Sequence, residues 1–117
     1  MLASVQIFGV KGSSATRAAE RFFKERGEAI HFVDLQQKAI SPGEIKRFID
    51  RFTLDRLIDD ESKEFVDAGL KYLKLSDAGL LQRLEKTPKL LKLPLVRAGK
   101  LISIGHDEAA WKTMLAA

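Results

Sequence analysis

Apolar positions along the chain change their period from one segment to the next. Val5 to Gly9 is rich in β-branched residues and alternates in part, which predicts a buried strand. From about Ser14 to Arg26 the residues Ala15, Ala18, Ala19, Phe22 and Phe23 recur at helical spacing, and Gly27 supplies a stop. Ile30 to Asp34 reads as a second short strand, which places His31 on a strand. A strand, a helix and a strand of these lengths favour a parallel pair joined by a right-handed crossover.

The middle of the chain is helical in period. Ser41-Pro42-Gly43-Glu44 is a strong helix start: the serine can cap, proline fits the first helical position, and Glu44 completes a capping box. Ile45, Phe48 and Ile49 then point to a core. Phe52 to Ile58 predicts a helix end or a short extra turn, and Ser62 to Leu70 a weaker helix. Ser76 caps another helix, with Leu80, Leu81 and Leu84 as its stripe, ending near Thr87-Pro88. The period then returns to that of a strand over Leu93 to Val96. Ala98-Gly99-Lys100 makes a tight turn, Leu101 to Ile104 is the returning strand, and Gly105 breaks the run. His106 precedes a closing helix over Asp107 to Leu115, with Ala110, Trp111, Met114 and Leu115 at core spacing. Trp111 and the phenylalanines therefore read as core. The order predicts an α/β fold: a thioredoxin-like β-α-β plus β-β-α core in one domain, 1–117, with a helical insert at about 41–87.

Size agrees with this. A domain of 117 residues buries roughly two thirds of its unfolded surface, so it needs neither a disulfide nor a metal to fold. No apolar run approaches the ~18 residues of a membrane span, and no basic segment precedes an apolar one at the start. A cytoplasmic protein without membrane contact is expected. The absence of any cysteine excludes thiol chemistry and thiolate metal sites by the chain's own residues.

The formal charge of +4 is uneven. Residues 1–66 hold 11 Lys or Arg and 11 Asp or Glu, whereas residues 67–117 hold 9 and 5. Arg83, Lys86, Lys89, Lys92, Arg97 and Lys100 form a basic run broken only by Glu85. Such a run reads either as a solvated face or as a contact for an acidic protein surface. No aromatic residue lies between positions 73 and 110 to stack bases, which argues against nucleic acid as the partner.

Ile7-Phe8-Gly9-Val10-Lys11, with Arg17 six residues beyond Lys11, is the first of four motifs. The second is Ser41-Pro42-Gly43-Glu44-Ile45. The third is Leu57-Ile58, a polar quartet and Phe65. The last is Thr87-Pro88-Lys89-Leu90-Leu91-Lys92-Leu93-Pro94-Leu95-Val96, then Gly99 and Ile104-Gly105. In this order and spacing the chain resembles the arsenate reductase/Spx family, a thioredoxin-like and largely bacterial-type group, over almost its whole length. The resemblance implies a cis proline at Pro94 before the third strand. It also implies a nucleophilic cysteine where this chain has Ser13, and the second cysteine of Spx-like relatives where it has Thr16. Family arginines that hold the oxyanion correspond to Glu61 and Leu93. Thiol, cation and cation are thus replaced by hydroxyl, anion and apolar side chain.

Arsenate reduction needs a thiolate that attacks arsenic and later leaves in a disulfide. A serine hydroxyl forms no such redox pair, and neither histidine is placed by sequence to activate Ser13. Two readings of the loop stay open. Lys11, Gly12, Ser13, Ser14 and Arg17 offer backbone N–H groups, hydroxyls and positive charge to an anion at a helix start, and the Thr16 hydroxyl would add a donor. Equally, Ser13 or Ser14 simply caps the helix. The carboxylates of Asp59, Asp60 and Glu61 suit a hard cation by type. Three consecutive acids rarely converge, however, and Ser62 follows as a cap, so no metal and no cofactor is expected. The composite expectation is a cysteine-less pseudoenzyme that binds a protein partner or a small anion. Spx-like relatives grip RNA polymerase, which makes a regulatory partner conceivable. The alternative is an arsenate-reductase-like oxidoreductase that takes its thiol from glutathione, with Lys11, Arg17 and Arg97 as substitute cations.

Overall fold

The computed structural model describes residues 4–70 and 76–116. The chain divides into two compact units, residues 4–38 with 93–116 and residues 39–92.

The first unit is built on a four-stranded sheet. Its strands are β1 (Val5–Gly9), β2 (Ile30–Asp34), β3 (Leu95–Ala98) and β4 (Leu101–Ile104), in the order β2-β1-β3-β4. β1 pairs parallel with β2, Ile7 facing Phe32, and antiparallel with β3, Ile7 facing Val96. Helix α1 (Ser14–Glu25) makes the crossover between β1 and β2. Side chains of a strand alternate between faces. Val5, Ile7, Val96 and Ala98 join Ala19, Phe22, Phe23, Trp111 and Met114 in one buried cluster. The ring of Phe22 lies 5.5 Å from Trp111, and the indole Nε1 donates to buried Ser103 Oγ at 3.2 Å, so the core tryptophan leaves no polar atom unsatisfied.

β3 starts two residues later than the sequence pattern predicts. The Leu93–Pro94 bond is cis, and Pro94 has no N–H to give a ladder. Ala98 is then the last strand residue, and Gly99, at φ 63°, supports the turn to β4. Asp107 caps the closing helix through the N–H of Ala110, at 3.1 Å.

The second unit holds the predicted helical segment. It contains α2 (Pro42–Phe52), α3 (Leu54–Leu57), α4 (Lys63–Asp67), α5 (Asp77–Lys86) and a 3₁₀ turn at Pro88–Leu90. Serine opens three of them: the Oγ atoms of Ser41, Ser62 and Ser76 accept from the N–H groups of Glu44, Phe65 and Gly79. Helix α4 is shorter than the apolar pattern predicts, because Ala68 caps it and Gly69 turns away at φ 66°. Ile58 bridges Leu91, and flanking bonds run from Asp59 N to Leu90 O and from Lys92 N to Leu57 O, each 2.7 Å. These close the unit on itself.

Thr53 separates α2 from α3 with φ 71° and ψ 154°. A β-branched residue pays for this glycine region with about 1–3 kcal/mol. Its side chain makes no cap bond to offset that. Thr53→Gly is expected to raise stability by roughly 1 kcal/mol, the strain relief exceeding the entropy glycine adds to the unfolded chain. A higher urea midpoint with unchanged slope is the readout.

Candidate functional site

The loop between β1 and α1 is closed by its own hydrogen bonds. Ser13 N donates to Val10 O at 3.1 Å, Ser13 Oγ accepts from Thr16 N at 3.2 Å, and Arg17 N donates to Ser13 O at 3.1 Å. With φ −81° and ψ 119°, Ser13 is the N-cap of α1. A cap oxygen satisfies one of the first N–H groups of a helix that have no partner within it. Lys11, Gly12, Ser14 and Arg17 are exposed around it, and Ser13 is half-buried. Arg17 lines a shallow depression with Glu20, Arg21, Lys24 and Glu25 along the outer face of α1.

Thr16 differs from its neighbours. It is fully buried, and its Oγ1 has no hydrogen-bond partner among the described residues. The side chain packs on Gly9: a Cβ there would lie 2.4 Å from Oγ1 and 2.5 Å from Cγ2. The Thr16 hydroxyl therefore packs against the strand backbone and is closed to solvent. Ser14 and Ala15 are the positions whose N–H groups open the helix.

The remaining site candidates lie elsewhere or are engaged. His31 is exposed on β2. His106 stacks 5.1 Å from Trp111, with Nε2 3.6 Å from Glu108. Arg97 donates to Gly99 O at 3.2 Å and to Gln6 Oε1, its partner across β1 and β3. Leu93 is buried. Glu61 is exposed and donates its N–H to Asp59 Oδ1 at 3.2 Å. The Asp59 carbonyl accepts from both N and Oγ of Ser62. The acidic trio thus forms the turn that leads into the cap of α4. Among the described residues no three of His, Asp and Glu gather as a metal-ligand group. The basic run is divided: Arg83, Lys86, Lys89 and Lys92 are exposed on the second unit, and Arg97 and Lys100 belong to the first.

The close contact of Thr16 with Gly9 had a sequence signal, a glycine inside an otherwise apolar strand pattern. The pairing of Gln6 with Arg97 had none, since 91 residues separate them.

A four-stranded sheet in this order, with a loop and helix N-terminus after its first strand and a cis proline before its third, defines a thioredoxin-like fold. The family model of the ArsC family matches residues 8–114. The chain belongs to that family. It is 30% identical over 108 residues to the global transcriptional regulator Spx 2 of Oceanobacillus iheyensis, covering 90% of this chain and 78% of that one. Among solved structures it is similar to the YFFB (PA3664) protein, with TM-score 0.83 and 17% identity over 96% of this chain and 99% of the other. It is also similar to the arsenate reductase from Vibrio cholerae, with TM-score 0.75 and 20% identity over 97% and 96%. Among the described residues no helix is long and apolar enough to cross a membrane.

Two stability measurements check the site's construction. Ser13→Ala removes the cap and is expected to cost about 1 kcal/mol in denaturant unfolding. Gly9→Ala is expected to cost about 1–3 kcal/mol by overpacking, and much less when Thr16→Ala is already present. A double-mutant cycle then gives a favourable coupling between the two.

Proposed function

We propose that this chain is a non-catalytic binding or regulatory domain of the arsenate reductase/Spx family, one that has lost the redox cysteine. The observation that carries the reading is the use of Ser13. At the family's nucleophile position stands a hydroxyl whose Oγ is engaged as a helix cap, in a chain without any thiol. Reduction of arsenate to arsenite consumes two electrons, and a thiol pair supplies them by becoming a disulfide. No residue of this chain forms such a pair. Neither histidine hydrogen-bonds Ser13 Oγ to act as its base. The similarity to a protein named a global transcriptional regulator supports a regulatory role. We further place the protein in the cytoplasm, as one domain, with a protein as its partner; a cysteine-free chain is at home in that reducing compartment.

An assay of NADPH oxidation with arsenate, glutathione, glutaredoxin and glutathione reductase tests the reading. The expected rate for the wild type equals that without protein. Ser13→Cys, treated separately with oxidised glutathione, is expected to exchange into a mixed disulfide with release of one glutathione thiol, detected as an added glutathionyl mass. Turnover by the wild type that disappears in Ser13→Ala or Arg17→Ala would overturn the proposal in favour of an enzyme with a borrowed thiol.

A further inference from the structure

Three exposed arginines lie along α2 and α3, and among the described residues none of them is ion-paired. Arg47 and Arg51 stand four residues apart on α2, on one face of the helix. The guanidinium carbons of Arg51 and Arg56 lie 5.9 and 5.7 Å from the centroid of one ring, that of half-buried Phe52. In a continuous helix positions 51 and 56 would be separated by roughly 140° around the axis. The break at Thr53 is what brings Arg56 back to the ring. All three arginines are exposed. The nearby carboxylate of Asp50 is held by Lys46 at 2.8 Å, and among the described residues none of the three arginines forms an ion pair.

Two unfavourable features therefore coincide here. Thr53 holds a backbone conformation suited to glycine without a side-chain cap in return. Arg47 and Arg51 place like charges at a spacing where they repel. Strain and guanidinium groups without ion-pair partners at one place point to a surface completed by something else. The residue type says what. A guanidinium is a planar fork that takes a carboxylate through two parallel hydrogen bonds. Phe52 restrains two of the forks, which lowers the entropy lost when they are engaged. A nucleic-acid backbone fits less well, because Asp50 and Asp55 interrupt the positive charge that a row of phosphates would follow.

We propose that Arg47, Arg51, Phe52 and Arg56 form a docking surface for an acidic segment of a partner protein, whose carboxylates complete the arginine forks. This deepens the binding-domain reading and rests on it.

The test uses the full chain and a labelled glutamate-rich peptide, followed by fluorescence anisotropy. Wild type is expected to bind at low salt and to weaken as salt rises, as contacts between exposed charges do. Arg51→Ala/Arg56→Ala is expected to weaken binding about tenfold or more. The charge-matched Lys38→Ala/Lys112→Ala, at exposed lysines outside both basic stretches, is expected to change it by less than about twofold. Arg51→Lys/Arg56→Lys, which keeps the charge and the exposed positions, should fall between the two and serves if the alanine variant does not fold. No binding by wild type, equal loss in the Arg51/Arg56 and Lys38/Lys112 alanine variants, or tighter binding of duplex DNA of equal charge would overturn the proposal. Failure here with no reductase turnover removes this surface and leaves the binding-domain reading standing. Reductase turnover removes that reading whatever the peptide does.

Discussion

A methyl group on Gly9 would sit 2.4 Å from Thr16 Oγ1, so β1 and α1 can meet as they do only through a glycine. The loop that follows depends on this contact. Thr16 is buried against the strand, its N–H reaches back to Ser13 Oγ, and Ser13 in turn holds Val10 O and Arg17 N. Each bond fixes the next residue's backbone, and α1 then delivers Phe22 and Phe23 to the tryptophan-centred core. An unpartnered hydroxyl inside this arrangement is unfavourable by about 1–3 kcal/mol. The packing of the threonine methyl and the cap bond next to it compensate.

The same geometry explains how serine fits the start of α1. The cap needs an oxygen that accepts from an N–H, which a hydroxyl does well. The chemistry of reduction needs a sulfur that both attacks and leaves, which a hydroxyl does not do. Structural and chemical requirements separate at this residue, and the chain satisfies the structural one. The acidic turn at Asp59 to Ser62 follows the same division. Its oxygens shape a turn and cap a helix.

Much of this was legible in the sequence because it is local. Four strands, the serine caps of α2, α4 and α5, and the glycine stops follow from periodicity and from residues within a few positions of each other. The structure departs from the pattern where a local preference meets a geometric limit. Leu93-Pro94 is apolar enough for a strand, but proline cannot join the ladder, so β3 begins at Leu95. Ser62 to Leu70 has a helical pattern, but Gly69 turns left-handed and α4 stops at Asp67. At the candidate site, the capping role of Ser13 was readable as one of two alternatives. The burial of Thr16 was not, because it depends on the strand packed beneath it. The gathering of Arg51 and Arg56 on Phe52 was equally hidden, since it needs a backbone conformation that threonine's own preferences disfavour.

The central claim is that recognition in this chain resides on an arginine surface while the loop at Ser13 serves as structure. Backbone amide shifts of the full chain, followed by NMR during parallel titrations with arsenate and with the glutamate-rich peptide, test it most directly. The account predicts peptide-dependent shifts concentrated over residues 47–57 and no saturable arsenate-dependent shifts of the amides of residues 12–17. Saturable arsenate shifts in that loop, with residues 47–57 silent to the peptide, would contradict it.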